Sequence, residues 1–393
     1  MRVGTPNFVP ERLRQAREGR GLTAVSLSQL VEVTPSAISH YEHGRQTPAP
    51  EILERLGRVL NCPTQFFLRP TKPETSVVYW RSMASATKAS RVKSIRRFEW
   101  LKETVTYLRQ FLDLPPPNLP DIPAPSDVRA LDADAIEEAA QICRDHWRLG
   151  AGPIVNVVRI LEANGVIMSR TDLEAEKQDA YSCWPEGDAP YVVLSSMKAS
   201  AVRSRFDAAH ELGHLILHRS VAPEAWASTA TRKLIEAQAH RFAGAFLLPE
   251  ESFTYDVWAP TLDAFRTLKE HWKVAIQAMV MRCEHLGLLS EDQVTRMWIN
   301  ISRRGWRRRE PLDDTLPPEE PSTLRRAFEV LISERIRTAS QIDAELVLPS
   351  GDVEELCGLP HGFLREAFVG GGPEPKIKLH QGKGSRVVEF PER

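Results

Sequence analysis

Between Phe206 and His218 the chain reads FDAAHELGHLILH, and the pattern His210-Glu211-x-x-His214 inside it restricts what this segment can be. With 11 histidines and at most 52 acidic residues in 393 positions, such a pattern arises by chance about 0.04 times per chain, so it is informative. Two histidines four apart share one face of an α-helix, one turn from each other. There they can grip one tetrahedral zinc ion at roughly 2.0–2.1 Å. Glu211 sits beside them, placed to reach water rather than metal. Zinc lowers the pKa of a water it polarises to about 7, so a carboxylate can take that proton at neutral pH. Gly213, the small residue in the motif, is expected to leave room for a substrate.

Two imidazoles do not complete such a site, so a third ligand must come from elsewhere. His218 continues the stripe but lies about 12 Å beyond His210 on a straight helix, which reads as packing or support. A metzincin would carry glycine and histidine where this chain has Leu217 and Ser220, so that class is excluded. The remaining candidate is Glu236, in TRKLIEAQAHRFAGAFLLPEE, a helix ending before Pro249. Glu236, Ala239, His240 and Ala243 share a face, and the two alanines let this helix approach the first closely. Stabilising an oxyanion takes one more donor. Tyr181, Tyr191, His218 and His240 are the candidates, and sequence does not choose among them.

A chain of this length holds about two or three domains. It has no stretch of about 18 uninterrupted apolar residues, so no membrane span is expected. The N-terminus MRVGTPNFVPERLRQ lacks a signal-peptide apolar run, and Cys62, Cys143, Cys183, Cys283 and Cys357 are odd in number and far apart. A cytoplasmic protein without a disulfide framework is expected. Residues 1–110 hold 18 Lys and Arg against 9 Asp and Glu, leaving 33 against 43 for the rest. A basic end on an acidic remainder points to a polyanion such as DNA, or to a solvated charged face.

Punctuation divides the chain into 1–69, a run of short helices; 70–129, a basic arm (Arg91, Lys93, Arg96, Arg97, Lys102) and linker; 130–300; and 301–393. In the linker, LDLPPPNLPDIPAPSD (Leu112–Asp127) carries six prolines, so it is an extended spacer or a strap on a neighbouring surface. The arm either extends a DNA contact through phosphates or is a solvated helix face. Helical periodicity in 130–300 surrounds the β-rich runs GVIMS, AYSCW and YVVLSS, without regular βαβ alternation, which favours α+β. YVVLSS reads as core, with an edge open to an extended peptide as the alternative. The run RRGWRRR (303–309) has DNA, a partner or an internal acidic surface as candidate targets. Thr338 to Ile342 opens a helical pattern, weakly like another helix-turn-helix but more in keeping with core. The Gly/Pro-rich tail after Gly370 is expected to be poorly ordered.

Residues 10–68 divide into five helices. Thr23 caps one with Leu27, Leu30 and Val31 inward; Thr34 followed by Pro35 starts the next, with Ile38 and Tyr41 inward and Gly44 closing it. Two short helices joined by a tight turn, with small polar groups at the start of the second, present Ser36, Ala37, Ser39 and His40 to a major groove.

Three segments, RLRQAREGRGLT, VTPSAISHYEHGRQTP and LERLGRVLNCPTQFF, together resemble the Xre/Cro-type helix-turn-helix. That resemblance implies base contacts from Ser36, Ala37 and His40, and phosphate contacts from Arg45 and Gln46. The family often has Gln at the start of the preceding helix, where this chain has Ala24. RFDAAHELGHLILH and EAQAHRFAGAFLLP resemble the ImmA/IrrE metallopeptidase family, which implies His210, His214 and Glu236 as ligands and Glu211 as general base. His240 stands where that family usually has Asn.

The expected architecture is multidomain: an all-α helix-turn-helix domain, an α+β zincin-like metallopeptidase domain and a helical C-terminal region. The expected function is a DNA-binding regulator, dimeric on a palindromic double-stranded operator. Its zinc- or manganese-dependent endopeptidase would cleave a repressor- or antitoxin-like protein, or the chain itself, in a stress or phage-related response. The rival is a non-proteolytic transcription factor or antitoxin whose metal domain senses a ligand or a toxin-like partner.

Overall fold

The computed structural model describes residues 4–71, 87–173, 179–197 and 200–365; the tail beyond Gly370 lies outside them. Helices α1 (Pro10–Gly19), α2 (Ala24–Leu30), α3 (Pro35–Glu42) and α4 (Pro50–Leu60), with a 3₁₀ turn at Thr64–Leu68, form the N-terminal unit. Thr23 accepts from the backbone N–H of Ser26 and Thr34 from that of Ala37, which fixes where α2 and α3 begin. Gly44, at φ 66°, turns the chain after α3. Leu27, Val31 and Ile38 are fully buried, with Tyr41 packed against them. Leu30 was expected inside and is 56% exposed. The buried stripe of α2 runs through Leu27, Ser28 and Val31, and Leu30 lies about 100° around the helix from it.

Helix α5 (Lys88–Leu108) lies along α1. Neither expectation for its basic residues holds at three of them. Lys93 and Arg97 are buried, Arg97 pairs with Glu355 at 2.6 Å, and Arg96 pairs with Glu11, Glu18 and Glu99. Part of the basic excess is therefore matched inside the protein. The strap from Leu112 to Asp127 is neither helix nor strand, and it is seated. Asn118 N donates to Asn164 O, Trp147 Nε1 donates to Asn118 O, and Arg219 pairs with Asp121. Gly165, at φ 78°, lets the backbone of Pro116 approach where a Cβ would collide.

Beyond the strap come α6 (Ala133–His146), α7 (Val157–Ala163), β1 (Ile167–Thr171), β2 (Ala180–Cys183), β3 (Tyr191–Ser195), α8 (Ala201–Leu217) and α9 (Thr229–Leu247). The sheet has the order β1-β3-β2, with β1 parallel and β2 antiparallel to β3. YVVLSS is thus the central strand. It has no edge to offer, and an added strand would have to pair on β1 or β2. Alternation gives the sheet two working faces. Met168, Ala180, Val192 and Leu194 join the core of α6 to α9. Ile167, Tyr181, Cys183, Tyr191 and Val193 join a core with α1 to α5 and the C-terminal helices.

Helices α10 (Glu250–Asp256), α11 (Leu262–Trp272), α12 (Ile276–His285) and α13 (Glu291–Arg303) extend the first core. Of the basic run after them, Arg304 pairs with Asp263 at 2.7 Å, so an exposed acidic residue of the same chain takes part of it. Glu310 and Asp313 hold the fully buried Lys269 ammonium at 2.9 and 2.6 Å. Helices α14 (Thr323–Ser333), α15 (Ala339–Leu346) and α16 (Ser350–Cys357) close the molecule. In the pair α15–α16 the second helix is largely buried and packs on β1 and α5, so it is core rather than a second reading helix. The five cysteines are buried, and none is in a disulfide. Among the described residues no helix is long and apolar enough to cross a membrane.

Candidate metal centre and DNA-reading helix

Helices α8 and α9 pack closely because small residues line their contact. Ala239 and Ala243 are fully buried. A Cβ on Gly213 would stand 3.0 Å from Phe242 Cδ1. Gly213 therefore makes room for α9, not for a substrate. That close approach carries Glu236 up to the histidine pair. Nε2 of His210 and Nε2 of His214 are 3.0 Å apart. Glu236 Oε2 lies 3.2 Å from the first, and its Oε1 lies 3.8 Å from the second.

A tetrahedral ion with bonds of about 2.0–2.1 Å holds its ligands about 3.3 Å apart. The two imidazoles and the carboxylate fit that geometry, each offering one atom within 4.8 Å of the others. His214 is deeply buried, while the Glu236 side chain is 41% exposed, so the cluster has an open side. The Nδ1 of His210 is buried and has no hydrogen-bond partner. Burial works against a charged His210 ring, but the Glu236 bond and the charges of Glu211, Glu236 and Asp207 hold its pKa above the usual value.

Glu211 is 2% exposed. Burial pushes its pKa up to about 7, helped by the charges of Glu236 and Asp207 and opposed by His210 and by a hydrogen bond from Ser182. That bond, from Ser182 Oγ to Glu211 Oε2, is 2.5 Å long. Ser182 was not singled out from the sequence. The signal was there in the strand period, because Ser182 lies on the face of β2 opposite Tyr181 and Cys183.

The four candidate oxyanion donors separate cleanly. Tyr181 and Tyr191 belong to the core on the far face of the sheet, and the Tyr191 hydroxyl donates to Asp188. Both are corrections to the sequence reading, imposed by strand alternation. His218 is fully buried behind His214, with their Nδ1 atoms 3.1 Å apart. His240 is exposed at the centre, its ring 4.5 Å from that of His210 and stacked on Phe206.

On α3, Ser36 is exposed, and Ala37, Ser39 and His40 are half-buried, while Ile38 and Glu42 face inward. Arg45 and Gln46 are exposed in the following turn, their backbone N–H groups donating to His40 O. Arg17 anchors the helix from behind, reaching Glu42 at 2.5 and 2.9 Å.

Residues 13–67 match the helix-turn-helix family. Residues 161–284 match a peptidase family described as the IrrE N-terminal-like domain. Comparison with curated proteins returns no match. The HExxH helix, the sheet beneath it and Glu236 all fall inside the second matched span, and α1 to α4 nearly coincide with the first. The chain therefore joins an Xre-like, DNA-binding helix-turn-helix domain to an IrrE/ImmA-like domain of the metallopeptidase kind.

Proposed function

We propose that this chain is a cytoplasmic regulator that reads a palindromic operator as a dimer through residues 1–69. Its domain at 130–300 would be a zinc-dependent endopeptidase acting on a repressor- or antitoxin-like protein, or on the chain itself, in a stress or phage-related response. The observation that carries the enzymatic half is the convergence of His210, His214 and Glu236 from two helices, with the exposed carboxylate leaving one side open. In this reading those three residues hold the cation and Ser36, Ala37, Ser39, His40, Arg45 and Gln46 face the DNA. When bound, the cation supplies a Lewis acid that polarises a peptide carbonyl and acidifies water. Glu211 accepts the proton and returns it to the leaving amine. A pKa near 7 suits that exchange.

A second reading draws support from Ser182. Its hydroxyl occupies one oxygen of a buried Glu211, as expected if the carboxylate serves a sensor that turns nothing over. Glu211→Gln separates the two. Metal stoichiometry should be unchanged, while cleavage of a co-expressed repressor-type protein, or of the chain, falls about 10²–10⁴-fold. If operator release in cells is the same in that variant, the sensor reading holds instead.

A further inference from the structure

His214 is connected through two side chains to the backbone at the end of the proline-rich strap. The amide nitrogen of Gln238 donates to the carbonyls of Val128 at 2.7 Å and Leu131 at 3.1 Å. Both its N–H groups are then used, which leaves Oε1 facing Nε2 of His218 at 3.1 Å. An amide oxygen only accepts, so His218 Nε2 carries a hydrogen. In the neutral ring Nδ1 then holds a lone pair, and it stands 3.1 Å from Nδ1 of His214. His214 Nδ1 is therefore the donor of that pair. Its Nε2, the atom facing His210 and Glu236, is left with a lone pair. Gln238, His218 and His214 are at most 3% exposed, so bulk water does not compete along this path. His210 has no counterpart, since its Nδ1 has no partner.

We propose that Gln238 and His218 are positioning residues that hold His214 in the tautomer able to ligate a metal, and that the turn ending the strap, at Val128 and Leu131, aims Gln238. The inference rests on reading His210, His214 and Glu236 as the ligands. Its consequence is reciprocal: a seated strap strengthens metal binding, and bound metal steadies the strap. A partner that lifted the strap would weaken the hold on the ion without touching the centre.

The test uses the full chain labelled with ¹⁵N-histidine. In the metal-free protein His214 should show the Nδ1–H tautomer and His218 the Nε2–H tautomer. Gln238→Leu, which removes both the acceptor and the strap donors, should weaken zinc binding tenfold to a hundredfold in chelator competition, and His218→Phe likewise. An Nε2–H tautomer at His214 in the unaltered protein overturns the proposal, even if no variant folds. So does wild-type zinc affinity in a Gln238→Leu protein whose metal-free melting temperature is unchanged. If the tautomers are as expected and the chain binds no zinc, the ligand assignment fails while the hydrogen-bond path stands.

Discussion

Arg20 and Asp352 are separated by 332 positions and meet in a two-pronged ion pair, with nitrogen to oxygen distances of 2.8 and 2.7 Å. Arg20 caps α1 of the DNA-reading unit, and Asp352 sits in the first turn of α16, itself packed on β1. The pair fastens the N-terminal unit to the C-terminal helices. Asp352 is 7% exposed at its side chain, so Asp352→Ala leaves a largely buried guanidinium without its carboxylate, keeping only the Nε bond to Leu60 O and the Trp100 ring, and should cost about 2–4 kcal/mol in urea unfolding. Replacing both residues by apolar ones of similar volume should recover most of that loss. If the double variant is no better than the single one, the contact is not what joins the two parts.

Gly213 and Phe242 set the distance between α8 and α9. Gly213→Val puts branched carbon where there is room for none, and overpacking of this kind costs about 1–3 kcal/mol. As the helices part, Glu236 withdraws from the histidines. Zinc affinity should therefore fall together with melting temperature, whereas a valine elsewhere on α8 of equal thermal cost should leave affinity alone. Measuring both quantities on the two variants decides it.

Much of this centre was legible because its information is local. A helix places His210 and His214 without help from the rest of the chain, and the alanines near Glu236 already announce a close neighbour. Thr23, Thr34 and Gly44 mark helix ends for the same local reason. What escaped depends on which face of an element meets which partner. Tyr181 and Ser182 are adjacent in sequence, yet the pleat sends one to the far core and the other to Glu211. The basic arm looked free because Glu355 and Asp352, which meet Arg97, lie more than 250 positions away. No periodicity read along one segment carries that pairing.

Arg45 is exposed in the turn after α3, and in the function proposed above it meets phosphate rather than a base edge. Arg45→Ala should weaken binding to a random-sequence duplex and to a selected operator alike, and should lower the slope of log affinity against log salt by about 0.9. His40→Ala should instead erode the preference for the operator while leaving the slope in place. Equal slopes for the unaltered protein and Arg45→Ala would remove Arg45 from the phosphate contacts.

His285 gives the fold a sensitivity to acid away from the metal centre. Burial, then the charges of Arg241 and Arg282, lower its pKa to about 4, with Glu137 opposing. The folded protein refuses a proton that the unfolded chain accepts near pH 6.5. Between those two values the unfolded state holds more protons, so stability rises with pH across the window and drops as the solution is acidified from about 6.5 to about 4. Below the lower value this contribution levels off. His285→Leu removes the group while keeping an apolar side chain against α9, and its urea midpoint should decline less between pH 7 and pH 4.5 than that of the unaltered protein. Parallel declines in the two proteins would show that the acid sensitivity arises elsewhere.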